Sequence, residues 1–187
     1  MPRYMRFLVL SAFVTALTAV GALTSFTLPF LTVVPFSLQV FGVYLAGGLL
    51  PGKWALLSML TYVILGAIGL PVFAEGAHGM AILIGPFAGY LWAFPFAAWA
   101  MARFLSASDH KFRLIVGLGI NLAVIYAGGM IGIMLTTGAN LSHALVEGVL
   151  PFIGWDALKA VIAFPIIQKA RSFTLSRWGK QSYRRAG

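Results

Sequence analysis

Apolar residues run along this chain in long blocks, broken by short groups that contain Pro, Gly or charge. The blocks cover residues 7–26, 36–51, 53–70, 79–103, 112–135 and 150–169. Each approaches the roughly 20 residues an α-helix needs to cross about 30 Å of hydrocarbon, and is longer than a typical barrel strand. Backbone polar groups in a bilayer must be satisfied within the spanning element, so the pattern predicts a bundle of helices.

The basic residues test the helix count independently, because short cytoplasmic connections carry an excess of Lys and Arg. Arg3 and Arg6 precede the first block, Lys53 sits between the second and third, and Arg103, Lys111 and Arg113 bracket the fourth and fifth. Lys169, Arg171, Arg177, Lys180, Arg184 and Arg185 follow the sixth. All fall on one side if both termini are cytoplasmic, and Glu75, His78, His143 and Glu147 then lie on connections that face out. Asp109 and His110 share an inner loop with cations. A single missed helix would reverse half of these signs. The expected fold is therefore an all-α membrane protein with six transmembrane helices and both termini cytoplasmic. Residues 1–170 are expected to form the six-helix membrane domain and 171–187 a basic cytoplasmic tail.

Composition agrees, since 60% hydrophobic and 9% charged residues cannot build the polar surface of a soluble domain. The net charge of +9 is scattered over loops and tail, so anionic lipid headgroups, and not nucleic acid, are its expected counterpart. Aromatic and apolar residues are interspersed with cations from Arg171 to Arg185, which suits either a short interfacial helix or a disordered stop-transfer tail. The absence of cysteine removes disulfides and thiolate chemistry. The N-terminal block shares features with a secretory signal peptide but is long, and is read as a retained helix. Its residues Ala12, Ala16 and Ala19 lie on one helical face, where another helix of the bundle or of a partner can approach closely.

Residues 47–53 read GGLLPGK, but Trp54 follows where a phosphate-binding loop needs a Ser or Thr for magnesium. This is a tight turn between spans, so no ATP-hydrolysing engine is expected in the chain. His78, His110 and His143 fall in separate loops, so neither a metal site nor a hydrolase constellation is expected. Asn140 to Ser142 match a glycosylation sequon, a pattern short enough to arise by chance.

Conformationally special residues collect toward the outer half. Residues 35–39 open the second block, residues 69–76 follow the third, and residues 85–90 are expected to interrupt or kink the fourth, bordering a cavity or making a helix contact through Gly85 and Gly89. Asp156 and Lys159 add the chemistry, because a three-residue spacing puts both on one face of the last helix. Either charge facing lipid alone costs about 2.5 to 3.5 kcal/mol, so both must face inward or toward water. They can form a structural ion pair, or supply an acceptor and a donor to a small molecule with polar ring atoms and an anionic group.

Three stretches, VPFSLQVFGVYLAGGLL, LGAIGLPVFAEGAHGMAILIGPFAGYLWAF and PFIGWDALKA, resemble signatures of the BioY family over about Ala12 to Ala170. These are biotin-specific S-components of energy-coupling-factor (ECF) transporters. The resemblance implies a six-helix protein of the plasma (inner) membrane that binds biotin near the outer face. Its implied partners are a transmembrane coupling subunit and two ATPases, and some members are reported to act without them. The chain itself would need no cofactor, with ATP used only by the partners.

Asp156 and Lys159 match the family's Asp-x-x-Lys motif, Gln39 the polar position opening the second helix, and Gly89 and Tyr90 the Gly-Tyr of the fourth. Phe73 and the loop after it match the segment lying over the ligand, where this chain departs from a glycine-rich pattern with Glu75 and His78. Ala12 and Ala16 resemble the small-residue element that contacts the coupling subunit. Phe36, Phe41, Phe73, Tyr90 and Trp155 are candidate walls for the thiophane ring and alkyl chain. Asp156 would accept from a ureido N–H, and Lys159 would donate to the ureido oxygen or to the valerate carboxylate. An S-component for another vitamin is the nearest alternative. A channel, or an intramembrane enzyme using Asp156 as a base, are readings from other classes; Ser58, Thr61 and Asn121 supply no second catalytic group.

Overall fold

The computed structural model describes residues 3–28, 32–106 and 110–178. The chain is an integral membrane protein built almost wholly of helix. Helix α1 (Arg3–Leu23) leads into a short antiparallel hairpin of β1 (Phe26–Leu28) and β2 (Thr32–Phe36), in which Phe26 pairs with Phe36 and Leu28 with Thr32. Then come α2 (Gln39–Leu49), α3 (Gly52–Ala67), α4 (Ala88–Leu105), α5 (Lys111–Thr137), α6 (Leu141–Gly148) and α7 (Ile153–Trp178). Helices α2, α3 and α5 all pack against α4, while α1 lies on α2 and α3, and α7 on α2 and α5. The core runs through Val14, Tyr44, Met59, Tyr62, Met101 and Ile125, all buried.

Among the described residues, three helical stretches are long and apolar enough to cross a membrane: Tyr4–Leu23, Lys111–Thr137 and Leu141–Phe173. Helices α2 and α3 are apolar but shorter. The expected block 36–51 is helical only over Gln39–Leu49, because its first residues belong to β2 and to the turn after it. Residues 79–103 are interrupted, and do not form one kinked helix. A 3-10 turn at Met80–Leu83 comes first, and α4 starts at Ala88, beyond the proline that cannot donate a backbone hydrogen bond. The hairpin and α6 have no counterpart in the expected pattern. Asn140, the first residue of the sequon, caps α6 by accepting from the His143 backbone N–H at 2.9 Å.

At the end away from the hairpin, arginines satisfy the carbonyls left free where helices stop. Arg171 donates to Gly48 O at 3.0 Å and to Leu105 O at 3.2 Å, and Arg113 donates to Phe104 O with its guanidinium over the Phe104 ring. Arg171, at the start of the expected tail, is buried within α7, which continues to Trp178. The rest of the expected tail, 179–187, and Asp109 lie outside the described residues.

Candidate functional site

At the hairpin end of the bundle a cavity of about 290 Å³ opens among β2, the start of α2, the loop after α3, α4, α5 and α7. Its size is at the lower end of small-molecule sites. Apolar walls come from Val34, Val40, Leu91, Phe94, Ile125 and Phe152.

Asp156 and Lys159 lie together in this wall. Leu150–Phe152 make a 3-10 turn ahead of α7, which places Asp156 in the first turn of the helix, where the dipole favours a carboxylate. Lys159 follows on the same face. The ammonium Nζ donates to Asp156 Oδ1 at 2.6 Å, and the two residues are only 2% and 4% exposed. Tyr126 on α5 donates its hydroxyl to Asp156 Oδ2 at 2.7 Å. The pair is in mutual contact but not sealed off, since both residues line the cavity. An ammonium has three N–H donors and a carboxylate about four lone-pair positions, so both groups keep hydrogen-bonding capacity beyond these contacts.

A second polar chain starts at Ser37 and Gln39 in the cavity lining. Ser37 donates to Gln39 Oε1 at 3.0 Å, Gln39 Nε2 donates to the Tyr62 oxygen at 2.5 Å, and Tyr62 donates to Val72 O at 2.7 Å. Gln39 is thereby fixed at the head of α2 and tied to the loop that follows α3. In that loop Phe73 is buried against Gly66 and stands edge-on to Tyr62. Its N–H donates to Ala77 O at 3.1 Å, closing the turn. Glu75, at the tip, adopts φ 58°, the left-handed region that favours glycine. Its N–H donates to Ser25 Oγ and its carboxylate accepts from Thr27, each at 2.5 Å, so the loop is fastened to the segment leading into the hairpin.

Six of the sequence candidates, Gln39, Phe73, Glu75, Tyr90, Asp156 and Lys159, therefore line one cavity. Tyr90 also donates to Gly148 O at 2.7 Å, joining α4 to the end of α6. Trp155 stands behind the wall, donating Nε1 to Ser37 O at 3.3 Å, with Lys159 Nζ 5.7 Å from the ring centroid. Phe36 stacks behind it on Phe26 and packs on Phe152, and neither Phe36 nor Phe41 lines the cavity. Gly89 lies elsewhere, in the α4–α5 contact, where a β-carbon would run into Gly128 O and the Gly132 backbone. His78 is exposed, beside Gly76 O. On α1, Ala12 and Ala16 are exposed and do not pack within the bundle, whereas Ala19 is half-buried against the core.

Tyr62 and Tyr126 were not singled out from the sequence. A signal existed, because a phenol inside an apolar helix must find a hydrogen-bond partner in the bundle. Which partner depends on how the helices rotate against each other.

A family model described as the BioY family matches residues 2–175. The chain is 36% identical over 174 residues to a biotin transporter BioY from Thermotoga maritima, covering 92% of this chain and 100% of that protein. It is 41% identical over 166 residues to a probable biotin transporter BioY from Pyrococcus horikoshii, covering 88% and 96%. A crystal structure of the S-component for biotin from an ECF-type ABC transporter superposes with a TM-score of 0.82 at 31% identity, covering 90% of this chain and 92% of that one.

Proposed function

The chain belongs to the BioY family, and we propose that it takes up biotin as the substrate-binding S-component of an ECF-type transporter. It is a transport component and not an enzyme. The observation that carries this reading is the Asp156–Lys159 pair, held at 2.6 Å in the wall of an otherwise largely apolar cavity of about 290 Å³. Biotin matches such a wall: Asp156 accepts from a ureido N–H, Lys159 donates to an acceptor on the ligand, and the thiophane ring and alkyl chain lie against Phe73, Tyr90 and Phe94. Gln39 and Glu75 stand at the same cavity and complete the polar contacts.

In this reading α1 to α5 and α7 are the six crossings, with the hairpin and α6 at the outer face and both termini in the cytoplasm. The position of Arg113 and Arg171 at the end away from the cavity supports that orientation. The membrane is the plasma (inner) membrane, residues 1–170 form the substrate-binding bundle, and ATP is hydrolysed only by partner subunits. The exposed Ala12 and Ala16 face of α1 docks the coupling subunit, with close approach of small residues as the physical basis.

Radiolabelled biotin should bind the purified protein saturably and resist competition by thiamin and riboflavin. Asp156→Asn and Lys159→Ala should each weaken that binding sharply, and unchanged affinity in both removes the pair from the site. Uptake in a biotin-auxotrophic host with and without coupling subunits tests the need for partners.

A further inference from the structure

Tyr126 is bound to the reactive end of the cavity in a way that neither the sequence motif nor the family resemblance assigns. Its hydroxyl reaches from α5 to Asp156 Oδ2 at 2.7 Å, while Lys159, on the same helix as Asp156, takes Oδ1 at 2.6 Å. The two donors thus hold opposite oxygens from two different helices. Lys159 alone leaves the plane of the carboxylate free to turn, because a flexible four-carbon stem follows it. A phenol has one hydroxyl on a rigid ring, so its bond fixes both the plane of the carboxylate and its place between the helices.

Tyr126 also packs on the apolar core, but α5 and α7 touch each other only sparingly. An apolar cleft of about 430 Å³ parts α5 from α7 close by, lined by Ile115, Leu118, Leu122, Ala160, Val161 and Phe164. Tyr126 also lines the ligand cavity, and its oxygen, having donated its proton, still accepts. We infer that Tyr126 is a positioning residue for biotin binding, which acts through Asp156 by orienting its carboxylate toward the ureido N–H. This rests on the reading of the cavity as the biotin site.

The test uses full-length protein in nanodiscs, with Tyr126→Phe and calorimetric titration. Biotin should bind about 10-fold or more weakly, as expected for loss of a hydrogen bond to a charged group. A biotin analogue methylated on both ureido nitrogens, which offers no N–H, should bind wild type and variant alike. The double variant Tyr126→Phe, Asp156→Asn should bind no worse than Asp156→Asn alone. Equal losses for biotin and its methylated analogue, or additive losses in the double variant, overturn the inference and leave Tyr126 a packing residue.

A second readout needs no ligand. The Asp156 carboxylate band in infrared difference spectra, assigned by its disappearance in Asp156→Asn, should shift in Tyr126→Phe, and an unshifted band overturns the inference. If wild type fails to bind biotin, the ligand reading falls, and the infrared band still decides whether Tyr126 holds Asp156.

Discussion

The ring of Phe73 occupies the space that a side chain on Gly66 would take. A β-carbon built there falls inside van der Waals contact with three ring carbons, so the glycine is a seat for the aromatic that walls the cavity. Gly66→Ala must push Phe73 and its loop outward, at a cost of about 1 to 3 kcal/mol. Biotin should bind about 5-fold or more weakly, because the displaced ring is part of the cavity wall and about 1 kcal/mol is a factor of about 5. Gly119→Ala, where a β-carbon meets nothing within 4 Å, should leave binding unchanged. Titration of both variants in parallel checks the pair.

Asp156 and Lys159 depend on each other. Removing one partner of a buried pair leaves an uncompensated charge, so Lys159→Met should destabilise the protein by about 3 to 5 kcal/mol. Replacing both residues, as in Asp156→Asn with Lys159→Met, should recover much of that loss without restoring biotin binding. Melting in detergent, followed by a biotin titration of each variant, separates the two effects. A double variant no more stable than the single one contradicts this account.

Glu75 holds a backbone conformation that glycine adopts more easily, and it is the non-glycine residue with positive φ among those described. Both Glu75→Ala and Glu75→Gly lose the carboxylate contact with Thr27, but only glycine relieves the left-handed strain. The glycine variant should therefore be more stable than the alanine variant by about 1 kcal/mol. Paired thermal melts give the order directly.

Arg171 joins α7 to the ends of α2 and α4 through Gly48 O and Leu105 O. Arg171→Met strands two carbonyls and should cost about 3 kcal/mol, given two charge-assisted hydrogen bonds. Arg171→Lys should recover little, since a compact ammonium lacks the planar fork that spans both oxygens. Chemical denaturation compares the three proteins, and biotin binding by the folded fraction should be unaffected.

Much of the architecture could be read along the chain. The apolar blocks correspond to α1, α2, α3, α4, α5 and α7, because only long apolar helices satisfy their own backbone in lipid. What escaped was local and irregular. The hairpin and α6 are too short to stand out against apolar surroundings, and Asn140 as a cap of α6 looked like a chance sequon. The block that begins at 79 contains Gly85 and Pro86, which read as an interruption or a kink and act as the stop before α4.

The site divides along the same line. The sequence by itself determined that Asp156 and Lys159 share a helical face and must avoid lipid, because helical periodicity and the cost of a buried charge need nothing beyond local order. Only the tertiary structure decided that Tyr126 meets Asp156, that Tyr62 links Gln39 to the loop of Phe73, and that Gly89 turns toward α5 and away from the cavity. Those contacts join residues 10 to 30 positions apart or more, on different elements. They follow from the rotation and depth at which helices pack, which the side chains of the whole bundle set together.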